Sequence, residues 1–166
     1  MKFKMESLYF ITGAEGVGKS SIINILKSEL HDMNVRDFDE VGVPENPTLQ
    51  WRYDTTLYWI KVAIDNKKKG VSTVIAGLSF PNEVLMYKEH SEMDKIFFCL
   101  LDIQEKEREV RLSRRNAAKD VIEDFYQLHQ LKKEFKKIKF ENKIIDTTNL
   151  SIKETAKEVV SWIKKA

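Results

Sequence analysis

This 166-residue chain holds one cysteine and three prolines, and its apolar runs stop far short of the roughly 18 to 20 residues that cross a bilayer. Each shortage closes a class of protein. Cys99, alone in the run "KIFFCLL", cannot belong to a disulfide framework and reads as a small hydrophobe packed in a strand. The opening stretch "MKFKMESLYFI" has neither a signal-peptide core nor a cleavage site, so a cytoplasmic protein without membrane attachment is expected. His31, His90 and His129 lie too far apart for metal-ligand spacing and are expected at the surface or at helix ends. An excess of one charge is missing too: 28 basic residues stand against 26 acidic ones, net +2, too little to draw the chain toward nucleic acid or anionic lipid. No repeat, low-complexity tract or linker divides the sequence, so one domain over residues 1–166 is expected, long enough to bury roughly two thirds of its unfolded surface.

What remains is an alternation of short apolar runs with longer helical patterns. "LYFIT" (8–12), the stretch 34–38, "VSTVIAG" (71–77), "KIFFCLL" (95–101) and "KIID" (143–146) read as strands. Between them, helices are expected within "GKSSIINILKSELH", over "TLQWRYDTTLYWIKVAIDNKKK" with Gly70 closing it, through "NEVLMYKEH", over "QEKEREVRLSRRN", from about 120 to 137, and after Ser151. Asp102 with Glu105, and Ser151 with Glu154, have the spacing of capping boxes. Five strands joined through helices predict an α/β fold with a parallel sheet covered on both faces, which binds ligands at the carboxyl ends of its strands. In "LKKEFKKIKF" the apolar residues Leu131, Phe135 and Ile138 share a helix face with Leu128, so the lysines form a solvated face rather than a nucleic-acid track.

Chemistry concentrates in "YFITGAEGVGKSS". Gly13, Gly18, Lys19 and Ser20 fill the fixed places of G-x-x-x-x-G-K-[ST], directly after a strand and at the start of a helix. Glycines there let main-chain N–H groups turn inward onto phosphate oxygens, and the helix start adds positive potential. Gly13, Ala14, Glu15, Gly16, Val17, Gly18, Lys19, Ser20 and Ser21 are thus the expected ATP cradle, with Lys19 on the β- and γ-phosphates and Ser20 on Mg²⁺.

Holding a triphosphate is not yet catalysis. "TVIAGLSFP" offers no acid at its strand end, so the carboxylates must come from "VRDFDEVG". Asp37 and Asp39, two apart at a strand end, are expected to project to one side, Asp37 toward the metal and Asp39 toward an acceptor hydroxyl. A polar strand-end turn is the structural alternative for both. Arg108, Arg111 and Arg115 recur about one turn apart and share a helix face, where a planar, always-charged fork suits phosphate; an exposed amphipathic helix is the alternative.

Taken in order, "GAEGVGKSS", "RDFDEVGVP", "RLSRRN" and "IIDTTNLSIKETAKEVVSWI" resemble the small P-loop kinases of the nucleoside monophosphate kinase, shikimate kinase and gluconate kinase group, over almost the whole chain. The likeness is greatest to uncharacterised bacterial kinases with D-F-D-x-[IV]-G-V-P-E and a following Trp-Arg helix. The resemblance implies a P-loop NTPase fold with a helical lid at about 105–119, an acceptor region at about 39–70, and ATP and Mg²⁺ as cofactors. It maps an acceptor-binding or base aspartate onto Asp37 and Asp39, lid arginines onto Arg111 and Arg115 through R-L-x-x-R, and an adenine-bordering loop onto 146–149. It places the acceptor near Trp51, Arg52, Thr55 and Trp59, with Gly42, Pro44 and Gly77; Arg52 suits an anionic substituent, Trp51 a stacked base, and Trp59 fits better in the core.

The expected activity is transfer of the γ-phosphoryl of ATP to a small-molecule acceptor, catalysed by Lys19, Asp39, Arg111 and Arg115, with Trp51, Arg52, Asp39 and Gly77 on the acceptor and Ser20 and Asp37 on the metal. Two rivals stand beside it. A polynucleotide 5′-hydroxyl kinase should show a basic stripe, which the sequence does not mark. An ATP-binding sensor without turnover would share the loop and lack a responsive acceptor.

Overall fold

A computed structural model describes residues 5–166; the first four residues of the opening stretch read for a leader lie outside the described residues. Five parallel strands form one sheet: β1 (Ser7–Thr12), β2 (Asn34–Asp37), β3 (Thr73–Ala76), β4 (Lys95–Asp102) and β5 (Glu141–Asp146), in the order β2-β3-β1-β4-β5. The helices are α1 (Lys19–Glu29), α2 (Leu49–Lys68), α3 (Pro81–Leu85), α4 (Glu105–Arg114), α5 (Lys119–Glu123), α6 (Tyr126–Phe135) and α7 (Ile152–Lys165). No helix among the described residues is long and apolar enough to cross a membrane.

Every residue of β1 is buried, as a central parallel strand requires. Alternation then splits its side chains between two cores. Tyr9 and Ile11, with Phe97, Cys99 and Leu101 of β4, pack against Ile22 and Leu26 of α1 and Val159 and Ile163 of α7. Leu8 and Phe10, with Phe98 and Leu100, pack against Trp59, Ile60 and Ala63 of α2 and Leu131 and Phe135 of α6. Burial raises the Cys99 thiol far above its ordinary range, so it is an inert packing group.

Register explains where a ligand can sit. Ile11 and Asp37 both pair with Ala76, and Thr12 pairs with Leu100, so the chain leaves β1, β2 and β3 at one edge. The Thr12 hydroxyl locks two of these exits together, donating to the Ser79 carbonyl at 2.8 Å and accepting from the Ser79 amide at 2.9 Å.

Four expectations are corrected. The helix expected over 120–137 is broken into α5 and α6, and Arg108 is the reason. Its guanidinium donates to the carbonyls of Ile122 (3.1 Å) and Val121 (3.2 Å), which a continuous helix would pair with amides four residues on. The Tyr126 amide turns instead to the Asp124 carboxylate at 2.9 Å. Asp102 and Glu105 form no capping box: β4 runs through Asp102, the helix is preceded by Gln104, and the Gln104 amide donates to the Thr148 hydroxyl at 3.0 Å. The helix expected through 82–90 ends at Leu85 and is followed by a separate 3₁₀ turn, Lys88–Glu92. Finally, β2 stops at Asp37 and Asp39 lies in a 3₁₀ turn, Phe38–Val41, so strand alternation does not relate the two aspartates. The Ser151–Glu154 capping box at α7 is present in both directions.

Candidate functional site

The loop after β1 turns into α1 through Gly18, whose φ of 101° at the helix N-cap is a left-handed conformation that glycine adopts without a Cβ penalty. Lys19 opens the helix, and its side chain folds back over the loop, donating to the carbonyls of Gly13 (2.6 Å) and Ala14 (2.8 Å). Loss of water around the ammonium pulls its pKa down to about 8, helped by the Arg115 cation and opposed by the carboxylates of Glu15, Asp39 and Asp37. Ser20 and Ser21 follow on the exposed side.

The loop opens onto a cleft of about 690 Å³, bounded on the loop side by Glu15, Gly16, Gly18, Lys19, Ser20 and Ser21. Opposite stand Asp37, Phe38 and Asp39. The Asp37 carboxylate accepts from the Asp39 amide at 2.9 Å while Glu40 returns a bond to the Asp37 amide, so the acidic pair sits in a reciprocal cap. Burial, and then the Asp37 charge, raise the Asp39 carboxyl above the ordinary carboxylate range, against the pull of Lys19.

Phe38 between them is pinned from two sides. Its carbonyl accepts from the Trp59 indole at 3.0 Å, which puts Trp59 in the core rather than in the cleft. A Cβ on Gly77 would lie 2.3 Å from the Phe38 Cβ. Gly77 lines the cleft, and its lack of a side chain makes room for Phe38.

The three expected lid arginines part company. Arg108, 2% exposed, donates through Nε to the Glu15 carbonyl at 2.9 Å and lies over the Phe125 ring, tying the loop to the α5 segment. Arg111, expected at the phosphoryl group, pairs with Glu107 and donates to the Thr147 carbonyl at 2.6 Å, joining α4 to the loop after β5 instead of facing the cleft. Arg115 alone lines the cleft. It is the last residue before a Schellman stop: the Ala117 amide bonds the Leu112 carbonyl, the Asn116 amide bonds the Ser113 carbonyl, and Asn116 takes φ 53°. Asp146, the last residue of β5, is held below its usual range chiefly by the Thr148 hydroxyl and then the Thr148 amide.

On the acceptor side, Thr48 caps α2 by accepting from the Trp51 amide at 3.1 Å, and Trp51 and Arg52 in its first turn line the cleft. Trp51 meets Phe38 edge-on, ring centres 6.2 Å apart. Thr55 is turned inward, its hydroxyl donating to the Trp51 carbonyl, and Gly42 and Pro44 lie on the exposed segment before α2. Sequence reasoning missed Gln127, which reaches from α6 to accept from the Glu15 amide at 3.2 Å, and missed Val43, Pro47 and Leu49. Val43 lies inside the stretch "RDFDEVGVP", which gives it no role, and no motif marks the other three.

Among the described residues no group of three or more His, Cys, Asp or Glu could hold a metal ion. The cleft lining includes the hydroxyls of Ser20, Ser21 and Thr48 and the carboxylates of Glu15, Asp37 and Asp39, all hard oxygen donors, of which Ser20 and Asp37 are the pair expected on the metal. That set fits Mg²⁺ of the kind completed by substrate phosphates and water, not a metal caged by protein alone.

No family model matches the chain, and no curated protein matches it in sequence. Solved structures do. A sugar kinase from Janibacter sp. HTCC2649 superposes with a TM-score of 0.68 at 14% identity, over 98% of this chain and 96% of that one. The APS kinase of Mycobacterium tuberculosis, solved with AMPPNP and APS, gives 0.63 at 16% identity over 98% and 99%. A gluconokinase from Sinorhizobium meliloti 1021 gives 0.62 at 13% over 98% and 94%. The parallel sheet, the loop between β1 and α1 and these three likenesses together show that the chain has the P-loop NTPase fold, in the form that small kinases share.

Proposed function

We propose that this protein is an ATP- and Mg²⁺-dependent phosphotransferase that moves the γ-phosphoryl group to a hydroxyl of a small molecule. The observation that carries the reading is that Lys19, Asp39 and Arg115 line one cleft, from the start of α1, the 38–41 turn and the residue that ends α4. A cradle alone would need only the first.

The roles follow from charge and position. The loop amides and Lys19 take the triphosphate, and the ammonium leaves the Gly13 and Ala14 carbonyls for phosphate oxygens. Ser20 and Asp37 would hold Mg²⁺, which would neutralise charge on the donor phosphates. Asp39, with its raised pKa, accepts the proton as the acceptor oxygen bonds to the γ-phosphorus and the bond from that phosphorus to the β–γ bridging oxygen breaks, releasing ADP. Arg115 follows the charge on the moving group. Arg108 and Arg111 act on the scaffold.

Release of ADP, followed across nucleosides, nucleoside monophosphates, sugar acids, aminoglycosides and short oligonucleotides, tests this. The expected result is stimulation by at least one small acceptor and none by oligonucleotides, with the signal lost in Lys19→Ala. An unchanged Lys19→Ala rate would reject the scheme.

A further inference from the structure

Three cations border the cleft, and their commitments differ. Lys19 belongs to the loop, and Arg115 is close enough to Lys19 to depress its pKa, so both serve the donor half. Arg52 is the cation of the acceptor half. Its Nε donates to both oxygens of Glu83 at 3.0 Å and its Nη2 reaches Oε1 at 2.5 Å, while the guanidinium lies over the Phe80 ring, 4.9 Å from its centre. Glu83 is 7% exposed. An anionic substituent would have to share Arg52 with a buried carboxylate that already engages two of its three nitrogens and neutralises its charge, and would line the same cleft as Asp37 and Asp39 as it did so.

The remaining wall is apolar. Val43 and Leu49 are 49% and 60% exposed, and Pro47 and the half-buried Trp51 complete the same side of the cleft. Large apolar groups left in water around a concave site mark a surface that a ligand covers. A second hollow of about 300 Å³ shares Leu49 and Arg52 with the first and adds Tyr53, Met86 and Tyr126 beside the polar Asn82, Gln130 and Glu134, so large side chains continue along Leu49 into a mixed surface.

We infer that the acceptor is an uncharged hydroxyl compound carrying a planar, apolar ring, and that phosphorylated or carboxylated acceptors are turned away by the Arg52–Glu83 pair. The inference rests on the phosphotransferase reading above. Trp51 and Leu49 receive the ring, and the hydroxyl faces Asp39.

The test uses the full chain saturated with a non-hydrolysable ATP analogue and Mg²⁺, titrated with matched pairs: adenosine against AMP, thymidine against TMP, and a phenyl-substituted diol against the corresponding hydroxy acid. Tryptophan fluorescence in the wild type and in Trp51→Phe reads binding, and ADP release with ATP reads transfer. The uncharged member of at least one pair should bind at least about tenfold tighter than its anion, and Glu83→Gln, which frees Arg52, should narrow that ratio. Arg52→Met, which removes the cation and leaves an apolar stem, should preserve the preference if Glu83→Gln fails to fold. Equal or tighter binding of the anions overturns the inference while leaving phosphotransfer standing. Failure of every uncharged ring compound to give a saturable signal, with the ATP analogue bound, overturns it equally. Failure of the ATP analogue itself to bind defeats the phosphotransferase reading first.

Discussion

The two walls of the cleft are built on different plans. On the loop side of the cleft the chain is held on both sides of one residue: Gln127 accepts from the Glu15 amide and Arg108 donates to the Glu15 carbonyl. On the acceptor wall, every residue from Val41 to Gln50 is exposed, and order returns only where Thr48 caps α2 and Arg52 meets Glu83. A triphosphate has one shape, so its wall can be rigid and made of backbone. An acceptor wall of exposed side chains on a short turn can change its substrate without disturbing the sheet.

The donor wall breaks most completely at Lys19. Lys19→Ala should lower ADP release with acceptor by about a thousandfold or more, since an electrostatic group on the moving phosphoryl is worth that much; an unchanged melting curve would show that the fold persists. Asp39→Asn crosses to the other wall and should cost about 10²- to 10⁴-fold in transfer while leaving ATP binding intact. It should also raise the melting temperature at pH 7. Because the folded carboxyl holds its proton more tightly than the unfolded one, its stabilising contribution is complete below the unfolded pKa and lost as pH rises through the folded value. The charged form at neutral pH therefore weighs against folding, and asparagine removes it.

Arginine substitutions sharpen the contrast within the lid. Arg115→Ala should lower turnover by about a hundredfold with little change in melting, because Arg115 is exposed and faces the cleft. Arg111→Ala should do the reverse, costing about 1–2 kcal/mol in denaturant unfolding with a smaller kinetic effect. Gly77→Ala should cost about 1–3 kcal/mol by overpacking against Phe38, and reduced transfer at unchanged ATP affinity would show that the 37–39 turn moves with it. The smallest effect concerns pH: with the Lys19 pKa at about 8, ATP affinity should fall about tenfold between pH 7 and 9 as the ammonium deprotonates. A flat profile in fluorescence titrations would place that proton elsewhere.

The loop between β1 and α1 could be placed from the chain because its constraints are local: glycines, lysine and serine at fixed spacing between a strand and a helix leave a pattern in consecutive residues. The inner strands β1, β3 and β4 were equally visible, since burial on both faces demands unbroken apolar runs such as "KIFFCLL". What stayed hidden depends on distant backbone. Arg108 and Arg111 bind carbonyls 93 and 36 residues away, and a carbonyl carries no mark in the sequence, so spacing assigned three arginines to phosphate where the fold gives the cleft one. The split of 120–137 into α5 and α6 follows from the other bonds of Arg108, to the carbonyls of Val121 and Ile122. Val43 read as a loop residue and Leu49 as the start of a helix, because exposed apolar groups declare themselves only once the rest of the cleft is in place.

Calorimetric titration of ATP with Mg²⁺ into the wild type and into Lys19→Ala tests the central claim most directly. A Lys19-dependent polyphosphate cradle predicts saturable heat in the wild type and a loss of at least about a hundredfold in affinity in the variant. No heat in the wild type, or equal affinity in both, would contradict it.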